Sequence, residues 1–178
     1  AVIGSGPAGG LAASFLSRIA SKVDIFEREN SATTSKPSGA GLLLQPAGVE
    51  VLKQIGAADG IVSDGEKVTK LVGLNEYGWK VMDLDYRSLG NEFFGVGIQR
   101  HTLSYHLQST LSTKNHVRLH YNTCISSIES INESDNIPSD FMKEVHLKDD
   151  KNVEYGPYDL VVVAGGRNSS LRDKSIVR

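Results

Sequence analysis

The chain has 178 residues, 39% of them hydrophobic and 22% charged, which fits one ordinary globular domain and argues against collagen, extended disorder and a membrane span. Nineteen Lys and Arg against 21 Asp and Glu leave a formal net charge of −2, so no basic field is available to hold a nucleic acid or an anionic membrane. Its single cysteine, Cys124, can neither close an intrachain disulfide nor start a zinc site, which points to an intracellular, cytoplasmic protein.

Ala1-Val2-Ile3 stands directly against a glycine turn with no initiating Met and no charged leader, and is expected to be a clipped strand. Pro7 to Ala20 places Ala8, Leu11, Ala12, Phe15, Leu16 and Ile19 at helical spacing, with Pro7 suited to the first turn. Val23 to Glu27 is β-branched and aromatic and reads as a second strand, so the opening unit is βαβ. Residues 46 to 55 predict a short helix with Val49, Leu52 and Ile55 inward and Gly56 as its stop. From Lys67 to Tyr86 two apolar runs flank Glu76-Tyr77-Gly78, the pattern of two strands and a turn opening a second sheet. Thr102 to Thr113 returns to helical spacing, and Val117, Leu119 and Tyr121 alternate as a strand. The polar run from Glu129 to Asp140 reads as a loop, and Phe141–Leu147 with Val153–Tyr155 as a hairpin. Leu160 to Ala164 is an unbroken apolar run, expected to be a parallel strand covered on both faces. A further segment is expected beyond Arg178.

The strongest chemical signal is Gly4-Ser5-Gly6-Pro7-Ala8-Gly9, a G-x-G-x-x-G pattern between a strand and an amphipathic helix. Gly4 permits the tight turn, Gly6 lets a pyrophosphate approach the backbone, and Gly9 lets helix and strand pack closely. Amides at the helix start then face phosphate oxygens where the helix dipole favours negative charge. An isolated match reads equally well as a structural turn. Glu27 shifts that balance, because it closes the second strand about twenty residues on, where a carboxylate accepts hydrogen bonds from an adenosine ribose. The same carboxylate repels a 2′-phosphate, so NADP is disfavoured as the first nucleotide while NAD and FAD both remain open.

Four motifs in order carry a resemblance. The glycine turn with Glu27-Arg28, then Gly41-Leu42-Leu43-Leu44-Gln45-Pro46, then Gln99-Arg100-His101-Thr102-Leu103, then Asp159 to Arg172 with Ala164-Gly165-Gly166 resemble the N-terminal portion of the FAD-dependent aromatic hydroxylases. These are single-component flavoprotein monooxygenases similar to para-hydroxybenzoate hydroxylase. The resemblance implies an α/β fold, a Rossmann-like three-layer FAD-binding domain of glutathione-reductase type with an inserted substrate-domain sheet. It places the FAD-binding domain at 1–64 and 96–178, and the start of the substrate sheet at 65–95.

By the same resemblance Gly4, Gly6, Pro7, Ala8 and Gly9 hold the FAD pyrophosphate, Glu27 the adenosine ribose, and Arg28 lies near the adenosine. Gly39 to Leu43, with Gly41 and Leu42 at its centre, passes the flavin. Arg100 contacts the FAD phosphate and ribityl region, and Gln45 is a polar neighbour or a solvated loop residue. Gly165 and Gly166 occupy the place of the family's Ala-Asp-Gly, so the aspartate associated with FAD and nicotinamide cofactor binding is missing here. Ser169 and Arg172 keep the family spacing. The implied chemistry is reduction of FAD by NAD(P)H, formation of a flavin C4a-hydroperoxide, and transfer of one oxygen to an aromatic or similarly electron-rich small molecule. The second FAD motif and most of the substrate pocket belong downstream of residue 178, and no catalytic residue is assigned.

Two other readings stay open: a reductase, halogenase or epoxidase of the same fold, and a non-catalytic nucleotide-binding module, which Gly165 favours. A plain NAD-dependent dehydrogenase fits less well, because the excursion between Glu27 and Leu160 contains strands rather than regular βα repeats. His101, His106, His116, His120 and His146 lack metal-ligand spacing and read as solvated or locally bonded. Cys124 has no basic neighbour and reads as core filler. Trp79 and Tyr86 read as buried aromatics of the second sheet. Asn132-Glu133-Ser134 and Asn168-Ser169-Ser170 read as chance glycosylation matches.

Overall fold

The computed structural model describes residues 1–30, 40–131 and 144–171. In chain order the elements are β1 (Val2–Ile3), α1 (Pro7–Leu16), β2 (Val23–Phe26), β3 (Gly41–Leu44), α2 (Pro46–Gln54), α3 (Ala58–Ser63), β4 (Glu66–Val68), β5 (Lys70–Leu74), β6 (Lys80–Asp85), β7 (Gly95–Gln99), α4 (Arg100–Ser112), β8 (Val117–His120), β9 (Ile125–Ile131), β10 (Glu144–Asp149), β11 (Glu154–Tyr158) and β12 (Val162–Val163). They form two compact units, Ala1–Ser35 with Leu111–Arg178, and Lys36–Thr110. Gly39, Arg172 and the polar segment 132–143 lie outside the described residues, and with them the Asn132 glycosylation match.

The first unit is layered around a parallel sheet of order β12-β1-β2-β8. The layering follows from the pattern of β2, in which Val23 and Ile25 point to one face and Asp24 and Phe26 to the other. Val23, Ile25 and Val2 pack with Ala13 of α1 and with Leu111. On the opposite face Phe26 and Ile3 pack with Ile125 and Leu147 of the antiparallel sheet β11-β10-β9. Helix, parallel sheet and antiparallel sheet are the three layers that the sequence predicts. The chain order around β1 brings β2 to one side and β12 to the other, so the strand order reverses there and leaves a crevice at the carboxyl ends of the strands.

Several local expectations are corrected. Helix α1 stops at Leu16, not Ala20, because Arg18 and Ile19 donate to the carbonyls of Phe15 and Leu16, three residues back. That tightening turns Ile19 outward to 85% exposure. The apolar run 160–164 narrows to Val162–Val163, which pairs only with β1 among the described strands and leaves Leu160 and Val163 exposed rather than covered on both faces. Cys124 is exposed, because it lies ahead of β9 in the turn that follows β8, so it is not core filler. The first three residues of the supposed polar loop, Glu129 to Ile131, continue β9 and pair with β10.

A buried polar cluster ties the two sheets of this unit together. Asp24 is 2% exposed and its carboxylate accepts from His120 Nε2 at 3.0 Å, Tyr158 Oη at 2.9 Å and Lys22 Nζ at 2.8 Å. His120 in turn stacks on Phe26 at 4.8 Å, and Tyr155 meets the same ring edge-on. One carboxylate thus joins β2, β8 and β11, and each buried donor has its acceptor.

In the second unit β3 and β4 flank β7 in an antiparallel sheet. Val49, Leu52, Ala58, Ile61, Leu103 and Leu107 from α2, α3 and α4 pack on its Val96 and Ile98. Gly56, at φ 74°, ends α2 as predicted, while the six-residue α3 has too short a pattern to read in advance. The run expected to be one strand breaks at Thr69: Glu66–Val68 pairs with β7, and Lys70–Leu74 forms a separate hairpin with β6. Asn75 Oδ1 closes that hairpin by accepting the amides of Tyr77 at 3.0 Å and Trp79 at 2.9 Å, which leaves Trp79 exposed, against expectation. Tyr86 is buried, as expected, and its hydroxyl donates to Gln45 Oε1.

The substitution Asp24→Asn is expected to lower the unfolding free energy by about 2 kcal/mol, because two half-buried donors, His120 and Tyr158, lose a charged acceptor. Burial pushes the Asp24 carboxyl up, but hydrogen bonds from Lys22, His120 and Tyr158 outweigh it and hold the group below the ordinary range. A depressed folded-state pKa gives stability that is complete above about pH 4 and is lost as pH falls through the folded value. Denaturant titrations at about pH 7 and about pH 3 should therefore show the gap between wild type and the Asp24→Asn variant shrinking in acid. An unchanged gap would refute this account.

Candidate functional site

In the first unit the chain leaves β1 through Gly4, whose φ of 99° is open only to glycine at low cost. Its amide donates to Phe26 O at 2.7 Å and fixes the turn against the end of β2. A Cβ on Gly4 would stand 2.6 Å from Ala164 O, and one on Gly9 would stand 1.8 Å from Gly4 O. Neither residue has room for a side chain. Gly6 differs: nothing described lies within 4 Å of the place its Cβ would take. The first and third glycines close the backbone together, and the second faces open space.

Gly6 is also the N-cap of α1, with no side chain bonded to the helix start and Pro7 at the first position. The first intrahelical bond runs from Gly10 N to Gly6 O at 2.8 Å, so the amides of Ala8 and Gly9 precede it and lie at the positive end of the helix. Beside them is a pocket of about 420 Å³ lined by Ala8, Val163, Ala164, Gly165, Gly166, Ser169 and Leu171. Among the described residues no carboxylate lines it. Gly166 turns the chain at φ 76°, and a Cβ on Gly165 would meet Ser169 Oγ at 2.9 Å and Ser169 Cβ at 3.1 Å. A residue larger than glycine at 165 therefore requires the Ser169 side chain to move.

Glu27 stands at the other side of the turn. Its Oε2 accepts both the amide and the hydroxyl of Ser5, each at 2.8 Å, and its Oε1 accepts the Glu29 amide at 3.0 Å. Backbone bonds from Glu27 N to His120 O and from Thr123 N to Glu27 O hold this strand end against the turn after β8. Burial, with the Glu27 charge adding to it, pushes the Tyr121 phenol up. Arg28 is exposed, with Nε 3.8 Å from Glu29 Oε1. Ser5 and Tyr121 were not singled out from the sequence. A variable position inside the glycine pattern signals nothing about its own side chain, and Tyr121 is distant from Glu27 along the chain.

The remaining candidates fall in the second unit. Gly41 and Gln99 are partners across β3 and β7, and the Arg100 amide donates to Ala40 O at 3.4 Å, so Gly41 and Arg100 are neighbours. Gly41 has open space at its Cβ position and Arg100 is exposed. Leu42 packs against the core of the unit. His101, next to Arg100, keeps a buried Nδ1 with no hydrogen-bond partner among the described residues. Of the other histidines, His106 bonds to Asp64, His116 to the Ser17 carbonyl and His120 to Asp24. No helix among the described residues is long and apolar enough to cross a membrane.

Residues 1–152 match the family described as FAD binding domain. No curated protein matches the chain. Among solved structures, p-nitrophenol 4-monooxygenase PnpA from Pseudomonas putida DLL-E4 is similar at 17% identity and a TM-score of 0.73, over 95% of this chain and 41% of that one. PqsL from Pseudomonas aeruginosa, a probable FAD-dependent monooxygenase, is similar at 15% identity and a TM-score of 0.67, over 91% and 39%. The tetrameric form of 2-methyl-3-hydroxypyridine-5-carboxylic acid oxygenase is similar at 22% identity and a TM-score of 0.71, over 98% and 41%. The likeness is one of fold, and the chain spans about two fifths of the length of these proteins.

The glycine geometry predicts opposite outcomes for one added methyl. Gly9→Ala is expected to destabilise the protein by more than about 3 kcal/mol, because α1 must move off β1. Gly6→Ala should cost only about 1 kcal/mol, the ordinary penalty for alanine in place of glycine at a helix N-cap. Thermal unfolding of the two variants checks both, and equal losses would contradict the assigned roles.

Proposed function

The chain belongs to the FAD binding domain family, and from that membership we propose that it is the FAD-holding part of an NAD(P)H-dependent, cytoplasmic monooxygenase. Its substrate class is an aromatic or similarly electron-rich small molecule. The observation that carries the reading is the open face of Gly6 at the uncapped start of α1, with the Glu27 carboxylate at the end of the adjoining strand.

These residues fit FAD. A pyrophosphate needs close backbone approach and unpaired amides, and Gly6, Ala8 and Gly9 supply both without a repelling carboxylate among the described lining of the pocket. Gly4 and Pro7 hold the turn and the helix start in place. An adenosine ribose needs a carboxylate acceptor, which is Glu27, and Arg28 sits beside it on the solvent side. Gly41 and Leu42 serve as the segment passing the flavin, Gly41 by leaving room and Leu42 by anchoring the strand to the core. Arg100 supplies positive charge for the phosphate and ribityl region, and Gly165 and Gly166 let the backbone come close to the cofactor. When bound, FAD supplies the redox chemistry, accepting reducing equivalents from NAD(P)H and passing them to oxygen. The resemblances support a division in which 1–64 and 96–178 bind FAD and 65–95 begins the substrate sheet. The exposed apolar residues of the β5–β6 hairpin, Val72, Leu74 and Val81 among them, fit a sheet that meets further structure.

The test is direct. The purified full-length protein is expected to release a flavin absorbing between about 350 and 500 nm on denaturation, and to oxidise NAD(P)H when an aromatic substrate is added. Gly6→Ala should weaken FAD binding about tenfold or more, since the added methyl stands where the phosphate approaches. Flavin binding without NAD(P)H oxidation under any substrate would favour the non-catalytic module. Failure to bind FAD at all would overturn the proposal.

A further inference from the structure

We infer that Ser5 is the positioning residue that fixes the Glu27 carboxylate for the adenosine ribose of FAD, an inference that rests on the FAD reading above. A glutamate at a strand end has three rotatable bonds, and its head samples several directions unless something holds it. Here Ser5 turns two donors onto one oxygen. Its amide and its hydroxyl both reach Glu27 Oε2 at 2.8 Å, and the Glu29 amide takes Oε1 at 3.0 Å.

The register makes this contact possible. Gly4 N donates to Phe26 O at 2.7 Å, so the next residue of the turn falls opposite the next residue of the strand, Ser5 opposite Glu27. Ser5 itself is 2% exposed, which restricts its hydroxyl. An ionised carboxylate offers about four acceptor positions. Among the described residues, donors from Ser5 and Glu29 take three of them, and the remaining position on Oε1 is the one offered to a ligand hydroxyl. A hydroxyl arriving there meets a group already aimed, and binding costs little side-chain entropy. An alanine at residue 5 would keep the amide bond and lose the second donor, leaving the carboxylate free to swing about the first.

The experiment measures FAD and FMN binding to the apo form of the full chain by flavin fluorescence, in wild type, Ser5→Ala, Glu27→Ala and the double variant. FMN has no adenosine, so it reports on folding and on the flavin end alone. Ser5→Ala is expected to weaken FAD binding about tenfold, the scale of one hydrogen bond to a charged group, and to change FMN binding less than about twofold. In the Glu27→Ala background the same change should have no further effect on FAD, because its target is gone. An unchanged FAD affinity, an equal loss for FMN, or additive losses in the double variant would each overturn the inference while leaving the FAD reading intact. If wild type binds no FAD, both fall together. Should Ser5→Ala unfold, Ser5→Gly removes the same hydroxyl and keeps the same amide, and the same outcomes apply.

Discussion

The approach of α1 to the end of β1 is the constraint from which the rest of the first unit follows. It is close enough that a Cβ on Gly9 would lie 1.8 Å from Gly4 O, so no other residue could occupy the position without moving the helix. That contact sets the direction in which α1 leaves the turn, and hence where its first amides point. It also brings Ala13 onto Val2, Val23 and Ile25, so the packing that stabilises the sheet and the geometry that presents the amides are one arrangement. A site built this way needs no separate scaffold, because the core itself holds the donors in place.

The opposite face of the same sheet is held by different means. Phe26 and Ile3 are buried against Ile125 and Leu147, but beside them sits the Asp24 carboxylate with three donors around it. An apolar residue at 24 could fill the space, yet it could not specify which donor of β8 and β11 belongs opposite it. The polar cluster selects a register between two sheets that hydrophobic packing alone would leave more permissive. It lies toward the start of β2, while Glu27 lies at its end. The structural carboxylate and the one proposed to meet the ligand are thereby separated along one short strand.

Much of this was legible in the residues, and the reasons differ by element. The glycine turn could be read because Gly4 and Gly9 each answer a backbone demand that no other residue meets. Glu27 could be read because a β-branched and aromatic strand ends on it at the spacing the glycine pattern calls for. The parallel core strand β2 and the break at Gly56 could be read on the same grounds. Three features could not. Thr69 carries no breaker signal, and the strand divides there only because Glu66–Val68 and Lys70–Leu74 find different partners. Leu160 to Ala164 has the composition of a covered strand, but exposure is decided by neighbours rather than composition. Trp79 is turned outward by an Asn75 side chain that captures two amides of the hairpin. Each failure is a tertiary decision overriding a local pattern. In the site the same holds for Ser5, whose side chain matters only through a strand more than twenty residues away.

If the glycine turn holds a phosphate, as proposed above, the neighbouring glutamate poses an electrostatic problem, since the two anions repel. The structure answers it with donors rather than with a cation. The hydrogen bonds to Glu27 come from Ser5 and Glu29, and two of them are from backbone amides whose dipoles are fixed by the fold. Donors so placed stabilise the carboxylate without a mobile charge that would compete for the phosphate. In the FAD reading proposed above, the amides of α1 would serve the pyrophosphate, and the pocket beside them is lined by small and apolar residues with no acid among those described. Arg28, the nearest charged neighbour in sequence, is turned outward toward Glu29, so it stays available at the rim while the inner contacts remain neutral. In that reading the turn presents a carboxylate acceptor and an anion site side by side, because each has its own donors: two amides and the Ser5 hydroxyl for Glu27, and the first amides of α1 for the phosphate.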